Sequence, residues 1–256
     1  MDFLTEKFTR LGVENAPGQE GRQKVKNIEL RGEKIPGIPV DFSHGDVDAF
    51  EPTPGSFEVF TQGVQRGGKQ AYTEYRGAKF IREDVPAKLA AFTGASVDAD
   101  KELILTPGTQ GALFLAMGCT IGRGDKVAIV EPDYFANRKL VHFFEGELVP
   151  IALDYFGTDT CAGLNLDQLE RAFASGVKVF LFSNPNNPTG VIYSKEEIRT
   201  IAELAAKYGV VLIVDELYSR QVFDNREYTH LRAQEQADPQ NLITIMGPSK
   251  TESLSG

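Results

Sequence analysis

From Lys101 onward, short apolar runs alternate with helical stretches, and no other feature of the chain narrows its possible folds as far. The runs are Glu102–Thr106, Lys126–Val130, Glu147–Leu153, Val177–Phe182, Val210–Asp215 and Leu242–Met246. Each is too short for a buried helix and apolar at consecutive positions, as a strand covered on both faces must be. The clearest intervening helix is Ser194–Tyr208. Ser194 and Glu197 give it a capping box, Ile198, Ile201, Leu204, Ala205 and Tyr208 one apolar face, and Gly209 its stop. The alternation predicts an α/β protein with a mostly parallel central sheet flanked by helices.

The totals exclude several function classes. Twenty-seven basic residues against 36 acidic give a net charge of −9, with no Lys/Arg cluster to offset it, which argues against a nucleic-acid groove. The longest aliphatic run, Val210–Val214, is far too short to span a bilayer. The two cysteines, Cys119 and Cys161, stand far apart outside any CxxC pairing, which fits a reducing compartment. Cys119 ends the apolar stretch GALFLAMGC and is expected in the core. The first ten residues mix acids and bases and lack signal-peptide character. The expectation is a cytoplasmic protein that binds neither membrane nor nucleic acid.

In parallel sheets, ligands bind beyond the carboxyl ends of the strands. After Glu102–Thr106 comes PGTQGAL, where the backbone N–H groups of Thr109 and Gln110 at a helix start suit an anion. After Lys126–Val130 comes EPDYFAN, which puts Tyr134 where its ring either packs or stacks on a flat ligand. SNPNNPTG comes after Val177–Phe182, and its Asn-Pro steps hold Asn184 and Asn187 on an extended path at the sheet mouth. Asp215 ends five aliphatic residues. It either caps the next helix or needs a cationic or hydrogen-bonding partner, with Tyr218 close by. After Leu242–Met246 comes GPSK. Lys250 there is either a solvated surface cation or a desolvated nucleophile toward aldehydes, with the Ser249 hydroxyl beside it. An anion cup, an aromatic plate, an amide, a carboxylate, a phenol and a lysine at one sheet edge are the parts that hold pyridoxal phosphate.

The motifs SHGD, AYTEYRG, TPGTQGAL, EPDY, NPNNPTG, VDELY and SKTESLSG, in this order, resemble the class I/II, aspartate aminotransferase-like members of the fold-type-I pyridoxal-phosphate enzymes. The resemblance runs from about Asp41 to the last residue. It implies a Schiff base on Lys250, which also moves the substrate's α-proton, and Asp215 on the pyridine nitrogen. Asn187 and Tyr218 would bond the ring oxygen, and Tyr134 would stack on the ring. Gly108, Thr109, Gln110 and Ser249 would bind the phosphate, and Tyr72 would reach the phosphate of a neighbouring subunit in a homodimer. Gly45, with Asn187, would lie at the substrate carboxylate, near His44. Gly247 stands where many relatives carry a phosphate-binding serine.

The resemblance also implies residues 1–48 as an N-terminal segment that packs with a small domain, and 49–256 as a large domain incomplete at its C-terminus. Relatives continue past this point with a further sheet strand and the remaining arginines. The expected activity is transfer of an amino group between an α-amino acid and a 2-oxo acid in amino-acid metabolism. The alternatives are another carbanion reaction of the same cofactor (β-elimination, racemisation or cyclopropane-carboxylate synthesis) or a non-catalytic regulatory domain. Residues 1–48 are too few and too mixed in charge for a DNA-binding module, and no GxGxxG or Walker loop comes after the first regular strand.

Overall fold

The computed structural model describes residues 51–67, 72–156 and 163–254, with isolated positions at 5, 6, 9, 11 and 36. The expected short helix around Phe3–Leu11 and the strand at Val40, together with His44, Gly45 and Cys161, therefore lie wholly or mostly outside the described residues.

Two helices, α1 (Ser56–Gly67) and α2 (Lys79–Thr93), precede the alternating part. It then runs α3 (Gly108–Thr120), β1 (Lys126–Glu131), α4 (Phe135–Phe143), β2 (Glu147–Ala152), α5 (Leu166–Ala174), β3 (Val177–Ser183), α6 (Lys195–Tyr208), β4 (Val211–Asp215) and β5 (Leu242–Ile245). The sheet order is β2-β1-β3-β4-β5 and every pairing is parallel. This is the α/β architecture that the alternation predicts.

The strand sequences explain the two layers of core. Along β1, Val127 and Ile129 enter one apolar cluster while Ala128 and Val130 enter the other. In β3, Val179 and Leu181 join the first cluster, and Phe180 and Phe182 the second. Successive side chains of a strand point to opposite faces, so near-continuous apolar runs feed both cores. Proline appears only in β2, at the sheet edge, where a missing N–H costs least. Helix α6 matches its expected caps. The Ser194 hydroxyl accepts from Glu197 N, the Glu197 carboxylate accepts from Ser194 N, and Gly209 closes the helix at φ 67°.

Two expectations fail for identifiable reasons. Glu102–Thr106 forms no strand; it meets no sheet neighbour, and Ile104 is 54% exposed. β-propensity expresses itself only where a neighbouring strand supplies the hydrogen bonds. Cys119 is exposed. The side of α3 that faces the sheet is set by Leu113, Ala116 and Met117, and position 119 falls off that stripe.

Candidate active site

The chain reverses its lateral direction between β1 and β3, which neighbour each other in the sheet. Such switch points open a crevice at the carboxyl edge. Five loops converge there.

The first is the start of α3. Gly108 has φ +71°, a backbone most residues resist, and no side chain caps the helix. Gly108 N donates back to Thr106 O at 2.8 Å, while no side chain caps the N–H groups of Thr109 and Gln110, and the Thr109 hydroxyl is buried with no hydrogen-bond partner. The Gln110 side-chain amide donates to the Tyr134 phenol oxygen over 2.8 Å, joining this loop to the next.

Past β1, Tyr134 is half-buried, and burial together with the nearby Asp215 carboxylate raises its phenol against the opposing bond from Gln110. Beneath it lies Asp133, which sequence reasoning missed. One Asp133 oxygen accepts from the Ser183 hydroxyl and the other from the Asn137 amide, both at 3.0 Å. The Asn187 N–H donates to Ser183 Oγ, also at 3.0 Å. Asp133 therefore braces the loop carrying Tyr134 against the loop carrying Asn187, and Asn186 Nδ2 donating to Pro132 O at 3.2 Å adds a second brace. The only trace in the sequence is an acid directly behind Pro132 at a strand end, with Asn137 one helical turn on.

Asn187 reaches the mouth as expected, and Asn184 does not. Asn184 is fully buried, and its side-chain oxygen accepts from Tyr193 N because that turn needs an internal acceptor.

Asp215 ends β4 with 8% exposure. Leu217 N donates to one of its oxygens at 3.0 Å, but the next element is a turn, not a helix. Among the described residues it has no cationic partner. Burial pushes its carboxyl up to about 6, against the bond from Leu217 and with help from Glu216. Tyr218 is half-buried in the same turn, and burial together with the Asp215 charge raises its phenol. Asn187 and Tyr218 both line a cavity of about 390 Å³ that also takes in Gln221, Phe223 and Arg226.

Lys250 lies beyond β5, half-buried, with Ser249 beside it. No ion pair engages its amine among the described residues. A Cβ at Gly247 would lie 3.4 Å from the Thr109 hydroxyl, so the β5 loop and the start of α3 are neighbours. Tyr72 is 92% exposed.

Burial likewise pushes the Asp133 carboxyl up, to about 7. Both Asp133 and Asp215 sit above the ~3.9 of an unfolded chain, so the folded protein holds protons that the unfolded chain has released. Their stabilising contribution is complete below about pH 4 and is lost as pH climbs through about 7. We expect the ligand-free chain to lose a few kcal/mol of stability between pH 5 and pH 7.5, read from urea midpoints. Asp133→Asn should flatten that slope, because it removes the titrating carboxyl, while the unpartnered Asn137 Oδ1 can turn to accept from the new amide.

The carboxyl edge of a parallel α/β sheet, at its switch point, thus gathers an uncapped helix start, aromatic rings, a carboxylate without a cationic partner among the described residues and a lysine, the arrangement of an α/β small-molecule site. The chain belongs to the aminotransferase class I and II family, whose profile matches residues 39–256. It is 32% identical to an aspartate aminotransferase of Sulfolobus acidocaldarius over 91% of this chain and 55% of that one. Among solved structures, an aspartate aminotransferase from Rhodobacter sphaeroides superposes with a TM-score of 0.87 at 61% identity, over 99% of this chain and 62% of that one. An N-succinyldiaminopimelate aminotransferase from Mycobacterium tuberculosis gives a TM-score of 0.74 at 27% identity, over 83% and 54%. The chain thus spans about half the length of the curated relatives it matches. Among the described residues, no helix is long and apolar enough to cross a membrane.

Proposed function

We propose that this protein binds pyridoxal phosphate through Lys250 and moves an amino group between an α-amino acid and a 2-oxo acid. The observation that carries the reading is Asp215, a carboxylate with 8% exposure and no cationic partner among the described residues, at the carboxyl end of β4. A buried carboxylate is stable only beside positive charge or several donors. A protonated ring nitrogen meets that demand, and the unpartnered Thr109 hydroxyl at an uncapped helix start meets a phosphate's need for donors.

The residues divide the work. Asp215 would hold the proton on the ring nitrogen, and Tyr134 would cover one ring face. Asn187 and Tyr218 would donate to the ring oxygen. Gly108, Thr109, Gln110 and Ser249 would hold the phosphate. The Lys250 amine would hold the cofactor at its aldehyde, with loss of water, and would be the base that carries the substrate's α-proton. When bound, the cofactor supplies the electron sink for the pair left on the α-carbon. Gly45, with Asn187, would meet the substrate carboxylate. Aspartate as amino donor is supported by the 61% identity to the Rhodobacter sphaeroides enzyme.

Amino acid offered without a 2-oxo acid should convert the loaded protein once, in proportion to Lys250, and then stop. Absorbance of the cofactor and an ammonia assay check this. Continued ammonia release identifies β-elimination, and no conversion overturns the transamination reading.

We further read residues 49–256 as the large domain and 1–48 as a segment packing on a small one, in a cytoplasmic homodimer. Tyr72, nearly fully exposed, then reaches the partner's phosphate. Phe57, Phe60 and Val64 form an exposed apolar stripe on α1. Sedimentation should report a dimer, and Phe57→Glu with Phe60→Glu should shift it to monomer.

A further inference from the structure

We propose that Arg220 and Glu252 are positioning residues that fix the orientation of Lys250, an inference that rests on the cofactor reading above. The lysine lies beyond β5, the last strand described, on a turn without a helix or strand of its own. Something else must hold it, since a nucleophile misplaced by an ångström loses most of its advantage.

Arg220 supplies that hold. One guanidinium nitrogen donates to Glu252 Oε1 in a short contact. The other donates to Glu252 Oε2 at 2.8 Å and to Thr251 Oγ1 at 2.6 Å, with Gly247 O at 3.4 Å. The fork therefore touches residues on both sides of Lys250. Next to it, Gln221 Nε2 donates to the carbonyl of Lys250 itself at 3.3 Å. From the other side, the backbone N–H and the hydroxyl of Thr53 both donate to Glu252 O at 3.2 Å.

Arg220 lies two residues beyond Tyr218 and five beyond Asp215. One turn thus carries the carboxylate and the phenol and also grips the lysine's loop, so hydrogen bonds tie three groups of the site to one segment. The ion pair is partly exposed, with side-chain exposures of 39% and 27%, so its worth to overall stability is small. Its worth is directional. A planar guanidinium engages a carboxylate with two parallel bonds and still reaches a third acceptor, which an ammonium cannot reproduce. The family resemblance assigns a role to neither partner.

The test compares the parent with Arg220→Lys, Glu252→Gln and the double variant, on the whole protein. Hydrogen exchange of peptides covering 246–254 should quicken about tenfold in each single variant, with β1 and β3 peptides unchanged and no further gain in the double. The rate of borohydride-trapped adduct on Lys250 after adding pyridoxal phosphate should fall about tenfold or more. An adduct that forms at the parent's rate in every variant overturns the positioning role, whether or not exchange responds. No adduct on the parent overturns the cofactor reading, and the positioning role with it. The two failures are thus told apart by the parent alone.

Discussion

Lys250→Ala is expected to abolish the borohydride-trapped adduct with pyridoxal phosphate completely, with the protein still folded. Only a deprotonated amine held beside the aldehyde forms that bond, and Lys250 is the lysine at the end of β5, beside the start of α3. Lys79, Lys88 and Lys207 are exposed and paired with Glu83, Asp84 and Glu170, and Lys126 donates to Ser175 O. The Lys250 amine has no ion pair among the described residues, so its loss removes little that holds the fold. Any transamination should fall on the order of 10⁴-fold or more, as when other covalent nucleophiles are deleted. Lys250→Arg should not restore it, because a guanidinium keeps its proton at any working pH. Intact-mass spectrometry and a melting curve decide the matter. An adduct that persists in Lys250→Ala at the parent's stoichiometry would sink the assignment.

How much of this was legible in the chain depends on the kind of physics each feature uses. The strands and α6 were, because apolar runs and a capping box are local signals that the tertiary structure reinforces. Asp215, Asn187 and Lys250 were placed at the crevice because a strand end is itself a position in space. Glu102–Thr106 misled because a strand needs a neighbour, which no local pattern reports. Asn184 misled because its twin motif position, Asn187, differs only in which way the loop turns it. Asp133 and Arg220 were invisible for a related reason. Their partners lie 50 residues away at Ser183 and 32 away at Glu252, and only folding brings them together. The Glu216–His230 contact, 2.6 Å and buried behind Asp215, belongs to the same class.

Asp215→Asn should separate binding from chemistry. The Lys250 adduct should still form, since that bond needs only the amine and the aldehyde. Turnover should fall roughly 10²- to 10³-fold, the usual cost of removing one preorganised electrostatic partner from a buried site. Asparagine offers the ring nitrogen no negative charge, so the nitrogen loses the proton that makes the ring an acceptor of electrons. Stability should move the other way. The parent carboxyl, pushed up to about 6 by burial, is an uncompensated charge at pH 7.5 in the ligand-free chain, and the amide is not. The ligand-free variant should therefore melt higher than the ligand-free parent, while the parent should gain more from pyridoxal phosphate. This opposition is the signature of a residue kept for function at a cost in stability. Equal cofactor-induced shifts in the two proteins, with turnover within tenfold of the parent, would mean that Asp215 faces something other than a cationic ring.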